Sequence, residues 1–266
     1  MLMRPCLLAA IAIGLCSGAE SDCKPYAPCY SAESVVNIAS GEAGALAPNT
    51  LASIRGTGLW YWEQGLTSAD AAGGRLPPQL PGTGVTILVG GIVAHPFYVS
   101  PAQINFLVPS SLRATQVELR VVRDAQAGPP VTIRLREEAP ALFLKDSQYV
   151  IASHLDFSLV TEEAPARRGQ WLVLWATGLG ATDPPAEYGG IPMEAARLMR
   201  GAEFQVLLDG VPVPAGRINY AGLAPQCAGL YQINVLVPED APANPEVRIG
   251  VGQNLSPAGP RVHLRP

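Results

Sequence analysis

Histidine is scarce in this 266-residue chain, which holds only His95, His154 and His263. They stand far apart and fall in no HExxH, HxH or other zinc-binding spacing. The sequence also lacks a GxSxG elbow, an SxxK pair and a phosphate-cradling GxxxxGKS/T loop. In GTGVTILVGG the glycines precede a strand pattern, not a helix, which excludes a dinucleotide loop. No DxDxDG-like oxygen cluster stands anywhere, so neither a calcium site nor any other metal or cofactor is expected. Charge is sparse too: 15% of residues are ionic and the formal net charge is −4. That balance excludes broad binding to nucleic acid or to anionic membranes, which needs a positive field. Long apolar runs are missing as well. The longest, CLLAAIAIGLC at residues 6–16, is too short to cross a hydrocarbon layer roughly 30 Å thick, so no membrane span is expected.

That run follows Arg4 and precedes the small residues Ser17 and Ala19, the composition of a secretory signal peptide over residues 1–19, cut near Ala19. Leu15 directly before Cys16 is a poor fit to a lipoprotein anchor. The mature chain, with Arg4 removed and a net charge of −5, is expected to be secreted to the cell surface or beyond, or into a periplasm. Cysteine usage agrees with an oxidising compartment. Cys23 and Cys29 lie six apart in CKPYAPC, within an extension over residues 20–33, and read as a local disulfide. Closing so short a loop stabilises by about 2 kcal/mol on the chain-entropy model. For Cys227 a buried free thiol, a pairing with Cys23 or Cys29, and a link between chains all stay open.

What the sequence has in plenty is repetition. QINFLVP begins at Gln103 and QINVLVP at Gln232, 129 positions apart. LASIRGTGL (51–59) answers to WLVLWATGL (171–179), VTILVGG (85–91) to FQVLLDG (204–210), and VELRVVR (117–123) to VRIGVGQ (247–253). Four landmarks in one order predict two equivalent domains of about 100 residues, each large enough to bury its own core. An insertion of about ten residues is expected near 218–229 of the second copy. The domains read as 34–138 and 167–266, with 139–166 a linker or the first strand of the second.

The period of the apolar residues is two. Val117, Leu119 and Val121 share one side of VELRVVR, as Val131, Ile133 and Leu135 share one side of VTIRLRE, the pattern of half-buried antiparallel strands. Gly90-Gly91 and Asp209-Gly210 sit between apolar runs and suit two-residue hairpins that need positive φ. Helical periodicity is weak and confined to MEAARLMR (193–200). With 27 glycines and 26 prolines between short strands, the fold class is all-β, two tandem sandwiches. The repeated heptapeptide is then a core strand stopped by a proline, with its asparagine expected to bond backbone at a strand bend.

At VVNIAS (35–40), LASIRGTGL, LPPQLPGTGVTI (76–87), FYVSPAQINFLVP (97–109), RRGQWLVLWATGLGATDPP (167–185) and AGLAPQCAGLYQINVLVP (221–238) the chain resembles the uncharacterised C-terminal module family of Solibacter-type secreted bacterial proteins. The resemblance covers nearly the whole mature chain. Each half is in turn similar to the IPT/TIG class of immunoglobulin-like sandwich. It implies an extracellular pair of such domains and brings no activity with it.

The feature most suited to binding is LWYWEQG. Trp60, Tyr61 and Trp62 cannot all point into one core if extended, so they form either a stacking surface for sugar rings, a patch for a protein partner, or a cover over the sandwich end or the domain joint. A second end loop, ATDPPAEYGG (181–190), is the other candidate. In WLVLW, Trp171, Val173 and Trp175 oppose Leu172 and Leu174, so both faces are expected to be buried and the outer one to pack on the first domain or on 139–166. His95 reads as a strand-edge residue. His154 and Asp156 share a face of a possible strand, and Glu137-Glu138 and Glu162-Glu163 read as solvated loop charges. The expected role is a non-enzymatic binding or surface-interaction protein whose partner is an extracellular protein or glycan; the alternatives are a spacer in an extracellular assembly and an unrecognised hydrolase.

Overall fold

The computed structural model describes residues 23–265, so the expected signal segment at 1–19 lies outside the described residues. The first half contributes β1 (Val35–Asn37), β2 (Leu51–Arg55), β3 (Gln64–Gly65), β4 (Val85–Val89), β5 (Ile92–Val99), β6 (Gln103–Leu107), β7 (Gln116–Arg123), β8 (Gln126–Ala127) and β9 (Val131–Arg134). The second contributes β10 (Ala141–Leu142), β11 (Ala152–Ser153), β12 (Ala166–Arg167), β13 (Trp171–Thr177), β14 (Thr182–Asp183), β15 (Ala196–Leu198), β16 (Phe204–Leu208) and β17 (Val211–Pro212). It ends with β18 (Ile218–Leu223), β19 (Tyr231–Leu236), β20 (Val247–Val251), β21 (Asn254–Leu255) and β22 (Leu264–Arg265). The chain is two tandem immunoglobulin-like β-sandwiches.

In the first sandwich β5 belongs to both layers. Its start, Ile92–Ala94, pairs with β4, and its end, from His95 on, pairs with β6. One layer is therefore β1-β2-β6-β5 with β3 at its side, the other β4-β7 with β8 and β9. Between them lie Ile54, Val85, Ile87, Ile104, Phe106, Leu119 and Val121, all essentially inaccessible to water. Both predicted hairpins form. Val89 pairs with Ile92 around Gly90 and Gly91, and Leu208 with Val211 around Asp209 and Gly210, with positive φ at all four turn residues.

The second sandwich repeats the pairing. The neighbours β2-β6, β5-β6 and β4-β7 correspond to β13-β19, β18-β19 and β16-β20. QIN has one structure in both copies. Gln103 Nε2 donates to Asn105 Oδ1 at 2.7 Å and Gln232 Nε2 to Asn234 Oδ1 at 2.8 Å. In each copy the asparagine stands opposite a bulge in the neighbouring strand, between Pro96 and Tyr98 or between Ile218 and Tyr220. The strand bend is thus where it was expected, but the asparagine oxygen takes its bond from glutamine instead of backbone.

The copies diverge where the sequence inserts residues. The continuous β5 is broken in the second copy into β17 and β18 by the short 3₁₀ turn Ala215–Arg217, and the loop before β19 is longer. That loop carries Ala224, Ala228, Leu230 and the half-buried Cys227 into an apolar cluster between the sandwiches, with Leu51, Leu107, Phe143 and Trp175. MEAARLMR is not helical. Ala196 and Leu198 are buried with Arg197 exposed between them, a period of two, and this is β15. Segment 139–166 holds β10 and β11, both paired with β13, and Trp175 Nε1 donates to Ser153 Oγ within that segment at 3.0 Å.

The joint is also hydrogen-bonded in its interior. Leu51 N–H donates to Thr177 Oγ1 at 2.9 Å, and that hydroxyl donates to Gly229 O at 2.8 Å. Asn37 Nδ2 reaches Ala139 O at 3.2 Å. The fully buried Tyr231 hydroxyl donates to Gly180 O at 2.5 Å and accepts from Asn49 at 3.4 Å; burial pushes it up to about 12. Glu138 corrects the reading of Glu137-Glu138 as solvated. Its side chain is buried, accepting from Arg200 at 2.7 Å and from Asn254 of β21 at 2.9 Å, because the fold brings these two residues of the second sandwich onto it.

Candidate functional site

The turn before the aromatic triplet depends on glycine. A Cβ on Gly56 would stand 2.2 Å from Cys29 O, and Gly58 has φ +63. Behind this turn Leu59 and Trp60 go into the core, and only then does the chain turn outward. Trp60 is 4% exposed, while Tyr61 and Trp62 are 54% and 55% exposed. Trp60 is therefore no ligand contact but the floor under the other two, with ring centroids 4.9 Å from Tyr61 and 5.1 Å from Trp62. Tyr61 and Trp62 stand 5.9 Å apart with their planes 33° from each other.

Tyr61 is held from two sides. The Arg123 guanidinium lies 4.8 Å from the Tyr61 centroid, a cation–π contact, and the Tyr61 hydroxyl donates to Asp124 Oδ2 at 2.9 Å. That bond raises the Tyr61 pKa. Arg123 is itself buried, donating to Gly58 O at 2.5 Å and to Tyr26 O. Asp124 sits at the tip of the β7-β8 hairpin with φ +46. Sequence reasoning found the aromatic run but not Arg123 and Asp124, the latter 63 positions beyond Tyr61, which meet it only through the fold.

The second candidate loop belongs to the joint. Leu76 N–H donates to Gly189 O at 2.7 Å, Ile191 N–H to Gly74 O at 2.9 Å, and Arg75 to Tyr188 O at 2.6 Å, with Arg75 and Glu187 paired at 3.4 Å. Residues 181–190 strap the second sandwich to the long loop of the first. His95 is buried under this strap and not at a free strand edge, its ring 4.7 Å from Tyr188. Its Nδ1 faces Pro77 O at 3.1 Å; a carbonyl can only accept, so Nδ1 carries the proton and the buried Nε2 has no partner. Desolvation lowers the His95 pKa, and nearby Arg75 acts the same way.

A histidine held neutral in the folded state takes up its proton more readily when unfolded. Its contribution to stability is full above the ordinary value of 6.5 and is lost as the pH falls through that value towards the depressed folded one. Denaturant melts at pH 7.5 and pH 5 are expected to separate for the native chain and to converge by the His95 contribution in His95→Gln. An identical pH response in the two would refute this.

The remaining candidates disperse. His154 Nε2 faces Ala164 O at 3.2 Å, and Asp156 Oδ1 accepts from the Ser158 hydroxyl and N–H, which lowers its pKa. Residues 154–159 form a turn beyond β11, so the strand face expected to carry both does not exist. The extension holds the disulfide between Cys23 and Cys29.

No protein-family model matches the sequence, and no curated protein matches it. Among solved structures it is similar to a surface glycan-binding protein of Prevotella bryantii, 12% identical over 92% of this chain and 43% of that one, TM-score 0.29. It is also similar to a glucan-utilization surface protein of Bacteroides ovatus solved with a mixed-linkage heptasaccharide, 10% identical over 91% of this chain and 44% of that one, TM-score 0.34. A third is the I9-I11 tandem of titin, 9% identical over 89% and 65%, TM-score 0.24. The chain spans less than half the length of the first two.

Proposed function

We propose that the chain is an extracellular, non-enzymatic binding protein of the Solibacter-type family, its halves IPT/TIG-like, that engages a ligand through Tyr61 and Trp62. One observation carries this reading: two large rings stand more than half exposed while a buried tryptophan packs against both and a buried arginine and an aspartate fix Tyr61. Aromatic surface left in water and already ordered loses little entropy on binding, the arrangement of a contact site. The disulfide between Cys23 and Cys29 suits an oxidising exterior. The partner classes are an extracellular protein or a glycan.

The test is a glycan array and an extracellular-protein interaction screen on the chain from Glu20 on, repeated with Tyr61→Ala/Trp62→Ala. The pair substitution is expected to weaken binding at least about tenfold, the scale of a hot-spot loss. Trp60 is unsuitable for this purpose because its removal would damage the fold. The competing spacer role is favoured by the hydrogen-bonded joint, which would hold two sandwiches in fixed relation. It requires that no saturable ligand exist and that the substitution change nothing.

A further inference from the structure

We infer that the disulfide loop at residues 23–29 is the third side of the Tyr61–Trp62 surface, and that the ligand is an uncharged polysaccharide whose pyranose rings lie on these aromatic faces. This rests on the binding role proposed above and names its ligand class.

The loop is built into the site and does not trail from it. Cys29 and Thr57 exchange two backbone hydrogen bonds, of 3.0 and 2.9 Å, directly before the glycine turn that leads to Trp60. One residue further, the buried Tyr30 hydroxyl accepts from Val121 N–H at 2.6 Å. Tyr26, at the loop's outer end, is 89% exposed, and Arg123 donates to its carbonyl oxygen while lying over the Tyr61 ring. A single buried guanidinium thus holds the backbone of one exposed tyrosine and the ring of another. Tyr26 also has φ +64, uncommon for a residue with a bulky side chain and sustained only where the surroundings fix it. The disulfide and Arg123 supply that restraint, and what it presents is a third ring to solvent.

The exposed aromatic area matches a sugar chain. An aromatic side chain offers about 150–250 Å² when fully buried, so three partly exposed ones supply on the order of 400 Å², half of the ~800 Å² per partner of a stable protein interface. For a chain of sugar rings the same area is ample. Each aromatic face is the negative side of a quadrupole and attracts the C–H face of a pyranose. Asp124, exposed at the rim with one oxygen on Tyr61, offers its carboxylate to sugar hydroxyls. Charge selects the kind of sugar. Asp124 and Glu63 stand exposed beside the rings, Arg123 is buried with Nη1 and Nη2 on carbonyls and Nε without a partner, and Lys24 is the one exposed cation of the loop. Two rim carboxylates against one ammonium disfavour uronic-acid or sulfated chains and leave neutral ones.

Native affinity gel electrophoresis tests this, with hydroxyethylcellulose, galactomannan, xylan and amylose as neutral probes and polygalacturonate as the anionic one. The unsubstituted chain is expected to be retarded by at least one neutral probe and not by polygalacturonate. Tyr61→Ala/Trp62→Ala should lose about tenfold or more in affinity, while Tyr26→Ala and Cys23→Ser/Cys29→Ser should each lose about three- to tenfold, about 0.7–1.4 kcal/mol. Tyr26→Ala removes only an exposed ring, so its melting temperature should stay unchanged, and it decides the case if the cysteine variant folds poorly. Full retardation of Tyr26→Ala would remove the loop from the site. Retardation by polygalacturonate alone, or by no probe, would overturn the ligand class. If the interaction screen then yields a protein ligand sensitive to Tyr61 and Trp62, the binding role stands and this inference falls; if it yields nothing, both fall.

Discussion

Trp60→Ala is expected to cost the first sandwich about 3–5 kcal/mol, the range for emptying a tryptophan-sized volume in a packed core, whereas Trp62→Ala two residues away should stay within about 0.5 kcal/mol. The two side chains are chemically identical and differ only in where the backbone turn leaves them. Trp60 is 4% exposed and belongs to the buried cluster of the first core with Leu59, Val99 and Ile104, while Trp62 is 55% exposed. Trp60 Nε1 is buried without a partner, so its role is to fill space, and Trp60→Phe should recover much of the loss. Guanidinium unfolding curves of the three variants measure this directly. Equal destabilisation by Trp60→Ala and Trp62→Ala would mean that the ring left in water supports the fold, and the proposed binding surface would lose its basis.

How far this site could be read from the sequence follows from the range of the forces that make it. Period-two alternation and positive-φ turn residues act within a few positions, so β7, β9 and the hairpins at Gly90-Gly91 and Asp209-Gly210 were legible. The triplet also announced that not all its rings could be buried, and one is. Which ring turns inward depends on the core it joins, and that core exists only after the layers close. The same limit hid Arg123, Asp124 and Tyr26. Arg123 reads as the end of a strand, and Asp124 and Tyr26 as ordinary turn or loop residues, until the β7-β8 hairpin is brought against the disulfide loop.

Glu138 and His95 were misplaced for a related reason. Acidic residues beside prolines normally lie in water, and nothing local signals that Arg200, 62 positions later, will meet one of them at 2.7 Å. His95 was placed at an edge because Pro96 follows it, and proline is usual on edges. Yet β5 is an inner strand, flanked by β6 and β4, and Pro96 is tolerated there because the strand bulges directly after it. The sequence pattern identifies strands well; what covers them depends on the second sandwich, whose residues 181–190 close over this one.

The joint carries the other large effect. Thr177→Val is expected to destabilise the chain by about 2–6 kcal/mol, although it keeps the side-chain shape. The Thr177 hydroxyl is fully buried and serves both sandwiches at once, accepting from Leu51 N–H of β2 and donating to Gly229 O of the loop before β19. Replacing it by methyl leaves a buried donor and a buried acceptor unpaired, at about 1–3 kcal/mol each. The new methyl occupies the hydroxyl's place, and Leu51 and Leu107 pack tightly on Gly229, where a Cβ would stand 2.5 Å from Leu107 Cδ1. Thr177→Ser is the control. It keeps both hydrogen bonds, loses one methyl and should cost about 1 kcal/mol. Small-angle scattering should show the valine chain extended relative to the serine chain, and its unfolding should separate into two transitions as the sandwiches uncouple. If valine and serine behave alike in both measurements, the joint is held by its apolar cluster alone and the shared hydroxyl is incidental.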